Sequence, residues 1–190
     1  MVEGAREFTP TFKFVSTLYN PKPGLSIENL SREKDADLEK ALQDPIHPEL
    51  SEELMSNAQS ALLQDDLRRA VLEMAIACET AVKRAFFAKD TPAGAAYEYL
   101  EDNRSIRIPI VDMIDAMAKQ AFGRSFREDE STHYKNIVFL YRCRNKVAHR
   151  GELKYKNDSN VVHMVTGSTL AIWWESVFIL LDWIKARTPT

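Results

Sequence analysis

Cysteine is scarce in this 190-residue chain, glycine is sparse, and no apolar run reaches membrane-spanning length. Each shortage removes a class of protein. Cys78 and Cys143 lie in apolar-periodic segments without zinc-like spacing, so they read as small core residues carrying free thiols in a reducing compartment. His47, His133, His149 and His163 are scattered over different segments with no Cys or His at ligand distance, so the sequence predicts neither a metal site nor a cofactor. The six glycines form no phosphate-cradling loop and no Gly-x-Ser-x-Gly elbow. The most hydrophobic stretch, residues 170–184, is interrupted by Glu175 and Asp182 and is too short for a membrane span, so it reads as a core helix. Met1 is followed by acidic and polar residues and then Pro10, without the basic start and apolar run of a signal peptide. The expectation is a cytoplasmic protein that does not enter a membrane.

What the chain does have is charge, unevenly placed. A net charge of -3 offers nucleic acid no global attraction, and acids outnumber bases over residues 27–66. Over residues 135–156 the balance reverses: Lys135, Arg142, Arg144, Lys146, Arg150, Lys154 and Lys156 face a single acid, Glu152. A basic zone on an acidic protein can hold phosphate locally without coating nucleic acid indiscriminately, although charge alone is equally compatible with a solvated helix face.

The hydrophobic period predicts an all-α chain: an antiparallel bundle of four or five main helices over residues 46–190, preceded by a short N-terminal extension over residues 1–45. In that extension Phe8, Phe12 and Phe14 alternate as in a strand or hairpin, broken by Pro10, and residues 31–43 read as a short surface helix. From Pro48 onward the long segments favour helix. Residues 49–63 carry acids near their start, and Asp65 or Asp66 caps a helix reaching about residue 89 with Leu67, Ala70, Val71, Met74, Cys78, Ala81, Val82 and Ala85 on one stripe. Shorter helical patterns cover residues 95–101 and 109–122, the latter stopped by Gly123. Another helix spans residues 131–148, with Gly151 as a left-handed stop. An irregular or extended stretch over residues 152–157 leads to a long helix over residues 159–186 that carries all three tryptophans. Trp173, Trp174 and Trp183 read as core or subunit-interface anchors, with base stacking by a rim aromatic as the sharper alternative.

The chemistry-bearing constellation is Arg144, Asn145 and His149 near the end of the 131–148 helix. It combines a permanently charged guanidinium, a carboxamide and the side-chain type that exchanges protons near neutrality, a set suited to attack on a phosphodiester. A helix turns about 100° per residue, so Lys135, Arg142 and His149 share a face, with Asn145 and Lys146 beside them, whereas Arg144 falls on the apolar side about 140° from His149. Joint action therefore requires that the helix end or tighten before His149, which Gly151 would favour, or that two subunits complete the site. An arginine on the apolar side needs a carboxylate, and Glu79, on the shoulder of its own helix's core stripe, is the candidate partner in a buried pair. The plainer readings are that Glu79 reaches solvent from the stripe's edge and that His149 caps the helix end.

The run Arg144-Asn145-Lys146-Val147-Ala148-His149, preceded by an alanine-rich helix with Ala77-Cys78-Glu79, resembles the HEPN superfamily of helical-bundle proteins. Its hallmark is an arginine four to six residues from a histidine, often followed directly by Asn, Asp or His. The resemblance covers residues 48–187. It implies a metal-independent endoribonuclease, of the kind found as toxins and antiviral defence effectors, that dimerises so that two motifs share a cleft. His149 would then be general acid or base on the ribose 2′-hydroxyl or leaving oxygen, Arg144 would stabilise phosphate charge, and Asn145 would orient a phosphate oxygen or the imidazole, giving a 2′,3′-cyclic phosphate. Arg142, Lys146 and Arg150 would bind substrate, with Glu79 in support. Arg142 also satisfies the family spacing, but Asn145 directly follows Arg144. The implied partners are a second copy, RNA, and an antitoxin or effector. The alternative is a catalytically silent module of the same fold that dimerises or binds a nucleotidyltransferase or other effector.

Overall fold

The computed structural model describes residues 49–87, 92–102 and 108–188. The aromatic alternation at Phe8, Phe12 and Phe14, the charged segment 31–43 and the boundary at residue 45 lie outside them. Helix α1 (Leu50–Leu63) begins with Glu52 and Glu53 in its first turn, where carboxylates complement the positive end of the helix dipole. Three residues later α2 (Leu67–Phe86) starts under an Asp66 cap, whose carboxylate accepts from Arg69 N at 3.1 Å. Of the expected stripe, Ala70, Val71, Met74, Cys78 and Val82 are buried, with Ala75 and Ala77 widening the core face, while Leu67, Ala81 and Ala85 are half-buried at its ends and edge.

Helix α3 (Pro92–Asp102) follows, and the expected 109–122 helix appears in three parts: α4 (Ile110–Asp112), a π-helical turn (Met113–Met117) and α5 (Ala118–Phe122). Gly123, at φ 77°, ends it in the left-handed conformation as expected. Ser125 and Glu128 then close a reciprocal capping box around the short α6 (Phe126–Asp129), an element the hydrophobic period does not announce.

Helix α7 (Ser131–Arg150) buries Ile137, Leu140, Cys143 and Val147. Gly151, at φ 66°, stops it, and its N–H donates to Val147 O at 2.9 Å. The stop falls after His149, not before it. A two-stranded antiparallel hairpin follows, β1 (Lys154–Lys156) against β2 (Val162–Met164), with Lys154 opposite Met164, Tyr155 opposite His163 and Lys156 opposite Val162. This corrects the expected helix over residues 159–186, which begins only at Gly167: α8 is Gly167–Lys185, capped by Thr166. Local hydrogen bonding explains the difference. The Asn157 carboxamide oxygen accepts from Ser159 N at 3.0 Å and Val161 N at 2.9 Å, and Asn160 adopts φ 61°, so these residues turn the chain back instead of starting a helix.

Among the described residues the fold is predominantly all-α, with α2, α7 and α8 packed against one another and α1 laid along α2. Trp173 and Trp174 of α8 are buried, the first edge-on to Tyr155 of β1 and the second against Phe178. Trp183 is also buried; its indole N–H donates to Asp129 Oδ2 at 2.9 Å, and Arg187 lies over its ring while binding the same carboxylate oxygen. None of the three presents a free ring to a base. No helix among the described residues is long and apolar enough to cross a membrane.

Candidate functional site

Because α7 runs unbroken through His149, its side chains keep their helical angles, and the motif divides between two sides of the helix. Arg144 sits on the shoulder of the core, about one third exposed. Its Nη2 lies 3.9 Å from Glu79 Oε2 on α2, and its Nη1 donates to Asn145 Oδ1 at 3.2 Å. The expected Glu79 and Arg144 pairing is therefore present, but the pair is half-buried, not buried. Glu79 is also shared: Lys83, one turn along α2, approaches it at 3.0 Å. Next to them, Tyr141 donates its hydroxyl hydrogen to Ala75 O at 2.9 Å, and burial pushes its phenol well above the ordinary tyrosine range. It stays a neutral donor that ties α7 to α2.

His149 occupies the opposite, outward side. It is exposed and makes no side-chain hydrogen bond or ion pair with any described residue. Asn145, also exposed, lies about 40° from His149 around the helix but is engaged by Arg144. Within one chain, Arg144 and His149 do not converge, and the early helix stop that would have joined them does not occur.

Arg142 shares the outward face, as its seven-residue spacing from His149 predicts. It is not a free substrate ligand. Its guanidinium donates to Lys156 O at 2.9 Å, pairs with Asp158 at 2.9 Å, and stacks over Phe139, so it braces the hairpin against α7. Lys146 and Arg150 have no ion pair with any described residue. Together with Lys154, Tyr155, Lys156 and Val162 they line an open pocket of about 300 Å³ between the end of α7 and the hairpin. Lys154 and Lys156 belong to the basic zone of the sequence, but the motif does not point to them as pocket residues. Alternation in Lys154-Tyr155-Lys156, followed by the turn residues Asn157 and Asn160, was the signal that could have placed them on one face of a strand.

No group of three or more His, Cys, Asp or Glu side chains suited to a metal ion occurs among the described residues. Burial pushes the Cys143 thiol up to about 11 and Cys78 higher still, which keeps both thiols protonated and poorly nucleophilic. His133 contacts the buried Ser176 hydroxyl at 3.1 Å, and Asn136 donates to the same oxygen. This is a satisfied structural cluster, with Ser176 inaccessible to substrate. No family model, curated protein or solved structure matches this chain.

Proposed function

We propose that this chain is a metal-independent endoribonuclease of HEPN type, working as a homodimer in the cytoplasm as a toxin or defence effector. His149 is its general acid or base, Arg144 the phosphate-stabilising cation and Asn145 the orienting amide. The observation that carries the reading is the state of His149: an exposed imidazole, uncommitted to any described neighbour, set between Lys146 and Arg150 on the basic end of a long helix. A purely structural histidine at a helix end would be expected to bond carbonyls or a carboxylate.

The 140° between Arg144 and His149 gives the proposal a specific form. One copy supplies the histidine and the other the arginine, so that each of two symmetric sites is composite. RNA is the substrate, and an antitoxin or effector partner would bind over the same basic face. A second reading, a catalytically silent interaction module, draws on the ties of Arg144 to Glu79 and Asn145.

Mixing the two single variants distinguishes the readings. Incubated with RNA in chelator, wild type cleaves, while His149→Ala and Arg144→Ala are each inactive. Unfolding and refolding the two variants together restores about one quarter of wild-type activity, since half the dimers are mixed and each mixed dimer has one intact composite site. Equal background from all samples would remove the enzyme reading, and inactive single variants with no recovery in the mixture would remove the composite site.

A further inference from the structure

We infer that the pocket between α7 and the hairpin is a phosphate subsite that grips the backbone of a single RNA strand and leads it past His149. The inference deepens the proposed function and rests on it for the identity of the strand. Two cations come from the last turns of α7, Lys146 and Arg150, four residues apart and therefore on one side of the helix. Their presence alone has an ordinary explanation, because basic side chains offset the negative end of a helix dipole. That explanation does not extend to Lys154 and Lys156, which belong to β1.

Strand alternation puts Lys154 and Lys156 on the same face of the hairpin, with their cross-strand partners Met164 and Val162, while Tyr155 and His163 occupy the other face. That other face is fixed: Tyr155 stacks on Phe139 and His163 and meets Trp173 edge-on. Arg142 holds the hairpin from outside through Lys156 O and Asp158. Aromatic packing and a buttressing cation thus fix the hairpin beside the end of α7, where Lys154 and Lys156 line the pocket with Lys146 and Arg150. Of the four cations, Lys154 pairs with Glu152 at 3.1 Å, whereas Lys146, Arg150 and Lys156 have no carboxylate among the described residues. Like charges converging on a pocket of about 300 Å³ repel one another, and phosphate in the pocket relieves that repulsion. His149 projects from the same helical turn as Lys146 and Arg150, so a strand held by these cations continues toward the imidazole.

Full-length protein is titrated by fluorescence anisotropy with a labelled 2′-O-methyl uridine octamer, which cannot undergo 2′-hydroxyl chemistry, so binding is read apart from cleavage. Lys154→Gln/Lys156→Gln weakens binding about tenfold and reduces the slope of log affinity against log salt by about 1.4, the loss of two single-strand phosphate contacts. Lys154→Arg/Lys156→Arg keeps wild-type affinity and shows that the hairpin tolerates change. If wild type leaves unmodified RNA intact yet binds the methylated strand through these lysines, the catalytic proposal fails and this one stands. Wild-type affinity and slope in the glutamine variant overturn the inference. So does lysine-dependent binding of inorganic tripolyphosphate as tight as that of the RNA, which would make the pocket a small-anion site. Lysine-dependent binding to phosphatidylserine vesicles without any effect on RNA would likewise overturn it in favour of a membrane surface.

Discussion

Arg144 on α7 and Glu79 on α2 face each other at 3.9 Å, each side chain about one third exposed, with Lys83 closer to the same carboxylate at 3.0 Å. A pair this long and this wet contributes little to stability. It places the guanidinium without consuming it, since both the carboxylate and the Asn145 amide are weak claims on a five-donor group.

Glu79→Gln therefore lowers stability by less than about 1 kcal/mol in urea denaturation. RNA cleavage by this variant stays within a few-fold of wild type. A loss of several kcal/mol would mean that the pair is desolvated and structural, and would favour the silent-module reading.

Gly151→Ala tests the helix stop. At φ 66° an alanine Cβ meets no atom within 4 Å but suffers the local backbone penalty of the left-handed region, so the cost is about 1–2 kcal/mol. Urea midpoints measure it. The substitution also loosens the register of the following residues, so affinity for the methylated RNA strand falls with stability; unchanged stability would show that the stop is not held in this conformation in solution.

Burial raises Cys143 to about 11 and pushes Cys78 and Tyr141 up as well. The native state thus binds these protons more tightly than the unfolded chain does. Their contribution is complete below the unfolded thiol value near 9.0 and is lost as pH rises from there through the folded values. Urea midpoints fall between about pH 9 and 11, and Cys143→Ala shallows that fall. A thiol reagent at pH 8 labels neither cysteine until the chain unfolds.

The features legible in the sequence were those decided locally. Asp66, Gly123 and Gly151 act within one helical turn, through a cap or a positive φ, and each sits where its residue type predicts. The stripe on α2 was equally readable because one face of a long helix is repeated evidence for the same burial. The division of Arg144 from His149 followed from 100° per residue, and the unbroken helix keeps it. Residues 159–166 are not legible because Val161, Val162 and Val165 suit helix or strand according to what pairs with them, and their partners, Asn157, Lys156 and Leu153, lie across the turn. The π-helical turn at Met113–Met117 has no periodic signature at all: one extra residue enters a turn where tertiary packing accommodates it. The pocket was invisible for the same reason as the hairpin. Lys146 and Lys154 become neighbours only after the chain reverses at Gly151, and a linear charge count cannot say which cations converge.

Arg68, in the first turn of α2, donates from Nε to Gly151 O at 2.8 Å across 83 residues of sequence. That bond clasps the point where α7 ends to the point where α2 begins, so docking of the two helices adds a second restraint on the reversal into the hairpin. The α7 helix can form on its own in about 0.1–1 μs, but its last cations meet those of β1 only when the hairpin packs back on it through Tyr155 on Phe139 and Arg142 on Lys156 O and Asp158. A partly folded chain with every helix formed would still lack an assembled basic pocket. The basic pocket is thus a product of the chain reversal at Gly151 and not of any helix taken alone.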